Sequence, residues 1–136
     1  MTPPIAAFNV GARRFNRLDM TDAALHDLTL RLRSFAAERG WNAIDTPRNL
    51  AVAVLVEAAE LQEHLQWLSE EESAHLPTDK LDSVSLEMAD VLIFLLRLAD
   101  TLGIDVAAAA QRKMAINARK YPVDKARGRA TKYNEL

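Results

Sequence analysis

The positions of the helix breakers constrain this chain more than any other feature. Its 136 residues hold four Gly and five Pro, and those between residues 21 and 122 stand at Gly40, Pro47, Pro77, Gly103 and Pro122. The intervals are of helix length and are rich in Ala and Leu, which favour helix. Strand formers do not gather into alternating runs, so the expected class is all-α.

Thr21 is placed to cap a first helix from about Asp22 to Arg39, which Gly40 stops. Its Leu25, Leu28, Leu32 and Phe35 make one apolar stripe. Thr46 followed by Pro47 is a helix start, a capping hydroxyl and then proline in the first turn. The second helix is expected from Pro47 to about Glu70, and the polar stretch Glu71 to Lys80 reads as a loop. A third helix runs from about Leu81 to Leu102 and ends at Gly103. Asp105 caps a fourth that runs to about Lys120 and stops before Pro122. Short connections predict an antiparallel four-helix bundle over residues 21–122, with an arm at 1–20 and a basic, irregular tail at 123–136. The third helix is apolar nearly all round from Val91 to Leu98, as befits a helix that is central or covered by a second subunit. In so small a domain this favours a homo-oligomer.

The chain has no cysteine, which excludes disulfides and thiolate metal sites and suits a reducing cytoplasm. The opening residues show no signal-peptide pattern, and the longest apolar run, Val91 to Leu96, is too short for a bilayer. No membrane association is expected. Net charge is only -2, but it is unevenly placed. From Glu57 to Asp90 there are ten acidic residues and one basic, and from Arg112 to Lys132 eight basic and one acidic. The first segment suits a cation and the second a polyanion, although two solvated helix faces explain the same asymmetry. Negative net charge and the lack of a recognition-helix pattern argue against binding polymeric nucleic acid.

Within the acidic segment, Glu57 and Glu60 are three residues apart on one expected helix, and Glu87 and Asp90 three apart on the next. Such pairs share a helix face. The face on the second helix continues through Leu50, Ala53, His64 and Trp67, and that on the third through Phe94 and Arg97. Carboxylates on semi-apolar faces point to an interior or a cleft, where like charges repel and lose solvation. A divalent cation relieves both penalties. An all-oxygen donor set fits Mg²⁺, or Mn²⁺, better than zinc. One E-x-x-E pair alone would be unremarkable on a solvated helix; two on neighbouring helices carry the case.

Other side chains offer stacking faces and positive charge. Trp41 and Trp67 offer stacking faces, though tryptophans more often anchor cores. Lys113, Asn117 and Lys120 recur at spacings of four and three at the end of the fourth helix, followed by Tyr121. That face suits phosphates, and equally a favourable helix C-terminus. A lone His64 on the acidic stripe reads as structural.

With these segments in hand, the sequence resembles the MazG-like all-α NTP pyrophosphohydrolases, and within them the dCTP pyrophosphatase branch. The family pattern E-x-x-E, spacer, E-x-x-D reads here Glu57-Ala-Ala-Glu60 and Glu87-Met-Ala-Asp90, with 26 residues between Glu60 and Glu87. ERGW at 38–41, PRNLA at 47–51, LQW at 65–67, EMADVLIFLLRLAD at 87–100, KMAINARKYPV at 113–123 and KYNEL at 132–136 carry the likeness further. The resemblance implies a dimer or tetramer, with Mg²⁺ held by Glu57, Glu60, Glu87 and Asp90. It implies a base pocket lined by Trp41 and Trp67, and triphosphate contacts from Lys113, Asn117, Lys120 and Tyr121. The implied reaction is hydrolysis of a nucleoside triphosphate to the monophosphate and pyrophosphate, in a nucleotide-housecleaning role. For that reaction the expected step is attack of an activated water on the α-phosphorus, with Glu60 or Glu63 as the group that takes its proton. Two positions depart from the branch: Leu32 stands where it has a histidine, and Phe94 where it has a tyrosine, so base and sugar preference stay open. The same chemistry on dUTP or a modified NTP, and a non-enzymatic helical module that binds a cation or partner, are the competing readings.

Overall fold

A computed structural model describes residues 22–135. The expected arm at 1–20 and the Thr21 cap lie outside the described residues, as does Leu136. Among the described residues the structure is helical throughout, with α1 (Asp22–Glu38), α2 (Pro47–Glu63), α3 (Glu70–Ala74), α4 (Thr78–Thr101), α5 (Val106–Lys120) and α6 (Val123–Ala126). Short 3₁₀ turns cover Trp41–Ala43 and Tyr133–Glu135. No helix among these residues is long and apolar enough to cross a membrane.

The breakers act where the sequence puts them. Gly40 takes the left-handed conformation (φ 67°) after α1. Thr46 caps α2 by accepting from the Asn49 N–H at 3.3 Å, with Pro47 opening the helix. Gly103 (φ 65°) ends α4: its N–H bonds to the Asp100 carbonyl at 3.1 Å and that of Ile104 to Ala99 at 2.8 Å. This paired closure satisfies carbonyls the helix end would otherwise orphan. Asp105 caps α5 through the Ala108 N–H at 2.9 Å.

Three expected boundaries move. α2 ends at Glu63 rather than near Glu70: the chain turns over residues 64–67, and Ser69 and Glu72 then form a capping box that starts a new helix. The Ser69 hydroxyl accepts from the Glu72 N–H at 3.2 Å, and the Glu72 carboxylate accepts from the Ser69 N–H at 2.8 Å. The expected loop at 71–80 therefore holds α3, and α4 begins at Thr78, directly after Pro77. The tail also contains helix, α6, opened by Pro122.

The packed body is α1, α2 and α4, with α4 central. Its interior includes Ala36 of α1, Leu50 of α2, and Val84, Leu96 and Ala99 of α4. α2 and α4 run antiparallel: His64 meets Glu87, Glu57 meets Asp90, and Asp45 just ahead of α2 meets Arg97. The fourth long helix differs from the expected bundle. In the single chain α5 does not pack along the other helices, and residues 110–121 are all exposed. Apolar side chains also stay exposed on α2 and α4, among them Leu55 at 71% and Leu86 at 60%.

Candidate active site

Glu57 on α2 and Glu87 and Asp90 on α4 each offer a carboxylate oxygen within 4.8 Å of the others. The antiparallel contact of α2 with α4 creates this meeting. The i, i+3 pair on α4 faces α2, and Glu57 lies opposite. Glu57 and Glu87 are half-buried. Burial pushes the Glu57 carboxyl above its ordinary range, and the neighbouring charges of Glu60, Asp90 and Glu87 push it the same way. His64 Nε2 lies 3.7 Å from Glu87 Oε1 at the edge of the cluster.

Glu60 stands apart from the other three. It is exposed and outside the group of converging oxygens, although close enough for its charge to act on Glu57. Three hard oxygen donors at this separation, one of them raised in pKa by burial and by its neighbours, are what a divalent cation neutralises.

Beside the cluster is a cleft of about 460 Å³ between α1, α4 and the turn ahead of α2, and Asp90 lines it. Its walls include Leu32, Phe35, Trp41 and Phe94. Trp41 meets Phe35 edge to face, with ring centroids 5.7 Å apart. Both positions that depart from the dCTP branch, Leu32 and Phe94, lie in this wall, which is correspondingly apolar.

At the far end of the cleft is an ion pair that the sequence reading assigned no role. Arg97, 7% exposed, donates through Nε (3.2 Å) and Nη2 (2.8 Å) to Asp45 Oδ2, and through Nη2 to Asn42 Oδ1 at 3.1 Å. The pair ties α4 to the turn that carries Trp41. A signal existed: Arg97 is the sole charge in the apolar run 91–99 and lies seven residues, about two turns, beyond Asp90.

The other expected site residues stay away from the cleft in the single chain. Trp67 lies in the turn after α2 and is 87% exposed; the helical face it was expected to share with Glu60 ends at Glu63. Lys113, Asn117, Lys120 and Tyr121 are exposed at the end of α5. There Lys120 Nζ sits 4.7 Å from the Tyr133 ring centroid, and Tyr121 meets Tyr133 edge to face.

Helices that converge carboxylates beside an aromatic cleft agree with what the chain is similar to. The model of the MazG-like family matches residues 52–136, more than half of the chain. The chain belongs to the MazG-like family. Its curated relatives include dCTP pyrophosphatase 1 of Bos taurus, 37% identical over 118 residues (85% of this chain, 70% of the relative), and that of Homo sapiens, 38% identical over 117 residues (85% and 69%). The crystal structure of a pyrophosphatase from Archaeoglobus fulgidus matches with a TM-score of 0.69 at 43% identity, over 73% of this chain and 93% of that one. The protein is thus a hydrolase of the pyrophosphatase kind, similar to dCTP pyrophosphatase.

Proposed function

We propose that this protein hydrolyses a nucleoside triphosphate, with dCTP or a related pyrimidine preferred, to the monophosphate and pyrophosphate. The observation that carries this reading is the convergence of Glu57, Glu87 and Asp90 within 4.8 Å at the mouth of a cleft that contains Trp41 and Phe94. The names of the curated relatives support the pyrimidine preference.

Glu57, Glu87 and Asp90 would hold Mg²⁺, or Mn²⁺ in its place, with Glu60 as the fourth carboxylate. The bound cation supplies Lewis-acid activation of water and neutralises charge on the triphosphate. Water attacks the α-phosphorus, the bond from that phosphorus to the bridging oxygen breaks, and pyrophosphate leaves. Exposed Glu60 or Glu63 receives the proton released by the water. Trp41 and Phe94 stack on the base. Lys113, Asn117, Lys120 and Tyr121 bind the triphosphate, and Trp67 closes the base pocket. Since these five residues lie away from the cleft in one chain, they act from another copy in a homodimer or homotetramer. The exposed apolar faces of α2 and α4 support such an assembly. The role is removal of unwanted nucleotides in the cytoplasm.

The test is hydrolysis of all dNTPs and NTPs with and without Mg²⁺, scoring pyrophosphate against free phosphate. Mg²⁺-dependent release of pyrophosphate is expected, fastest for a pyrimidine. No hydrolysis of any NTP would overturn the reading, and release of single phosphates would assign a different cleavage.

A further inference from the structure

The cleft beside the carboxylate cluster has few polar groups with which to read a base. Among the described residues its lining includes four charged side chains: Arg31, Asp45, Asp90 and Arg97. Asp90 belongs to the carboxylate cluster, Arg31 is exposed, and Arg97 is engaged with Asp45 and Asn42. Both bonds from Arg97 to Asp45 fall on the same oxygen, Oδ2. Oδ1 is therefore free of Arg97, on a half-buried carboxylate whose orientation the guanidinium fixes.

Position along α4 sets the scale. Arg97 follows Asp90 by seven residues, which is about 10 Å along a helix and returns to nearly the same face. A nucleotide with its phosphates at the cluster and its ring against Trp41 and Phe94 would extend its base toward the Arg97–Asp45 pair. An ionised carboxylate only accepts hydrogen bonds. It pairs with an exocyclic amine, as on cytosine, and repels the carbonyl oxygen that uracil and thymine carry at the same position.

We infer that Asp45, held by Arg97, is the specificity-determining residue of this site: its free carboxylate oxygen accepts from the exocyclic amine of cytosine and disfavours uracil and thymine. The assignment rests on the pyrophosphohydrolase reading above. A hydrogen bond to a charged group that is lost and replaced by repulsion corresponds to roughly 10- to 100-fold in discrimination.

The experiment compares kcat/KM for dCTP and dUTP in the full-length protein and in Asp45→Asn, with circular dichroism and thermal melting to confirm folding. The asparagine keeps an oxygen for Arg97 and turns an N–H₂ toward the base. Wild type should favour dCTP by about tenfold or more, and the variant should lose most of that ratio, mainly by gaining on dUTP. Inhibition of the wild type by dCMP and dUMP gives the same comparison without a mutation, and dCMP should be the stronger by a similar factor. An active enzyme with no preference for cytosine over uracil, or an unchanged ratio in folded Asp45→Asn, overturns the role of Asp45 and leaves the reaction standing. A wild type inert toward every NTP overturns both.

Discussion

Glu57 of α2 and Asp90 of α4 bring carboxylate oxygens within 4.8 Å of each other across an antiparallel helix pair, 33 residues apart in sequence. Two negative charges so placed oppose the contact between their own helices. Removing the charge and removing the function should therefore separate. Glu57→Gln is expected to lower Mg²⁺-dependent turnover by about a hundredfold or more. Its metal-free form should melt at or above the wild-type temperature. Calorimetry with and without Mg²⁺ checks this, and the variant should also lose most of any metal-induced shift.

The same group sets a pH dependence. Glu57 binds its proton more tightly folded than unfolded, since its carboxyl is raised above the ordinary value of 4.5. Its contribution to stability is complete below that value and is lost as pH rises through the higher folded value. Stabilisation by Mg²⁺ should run the opposite way, being weak near pH 5 and stronger near pH 7.5, because the proton competes with the cation. Asp100 carries the reverse sign. Its hydrogen bonds from Arg33, at 2.6 and 3.1 Å, hold its carboxyl below the ordinary 3.8, so its contribution is present above that value and is lost as pH falls through the folded one. Melting temperatures from pH 3 to 8, with and without Mg²⁺, resolve the two limbs.

Trp41 meets Phe35 edge to face and remains 43% exposed, with a face left for a ligand. Trp41→Ala should raise KM by roughly 5- to 150-fold, with a smaller effect on kcat, for a stacking contribution of about 1–3 kcal/mol. A change confined to kcat would assign the ring a different part.

Arg97→Met removes the donor from a half-buried carboxylate and from Asn42. Leaving Asp45 without its partner should destabilise the fold by about 1–3 kcal/mol. The double variant with Asp45→Asn should recover part of that loss, because the stranded charge is gone. Urea unfolding of the four members of the cycle measures it.

Much of this was readable from particular residues. Gly40, Pro47 and Gly103 fix helix ends through backbone conformation, a local property that sequence reports directly. The approach of Glu57 to Glu87 and Asp90 followed from i, i+3 geometry on neighbouring helices. Trp67 did not follow, because its shared face assumed that α2 continues to Glu70. The chain instead turns at residues 64–67, which ends the register, and Ser69 and Glu72 then satisfy each other's backbone and start a new helix. Glu60 fell outside the cluster for a related reason. A step of three residues rotates by about 300°, so the second carboxylate of a pair is offset, and only the crossing of the two helices decides which converges. The Asp45–Arg97 bond joins residues 52 apart, a pairing that no local pattern encodes.

The two-turn interval from Asp90 to Arg97 makes α4 a measuring rod. One residue inserted between them would swing everything beyond by about 100° and lengthen the rod by about 1.5 Å. The clamp at one end would survive while the selector at the other turned away. Lineages free to change which base they accept, yet bound to cut the same bond, should vary the residues at 45 and 97 and leave the count between 90 and 97 alone.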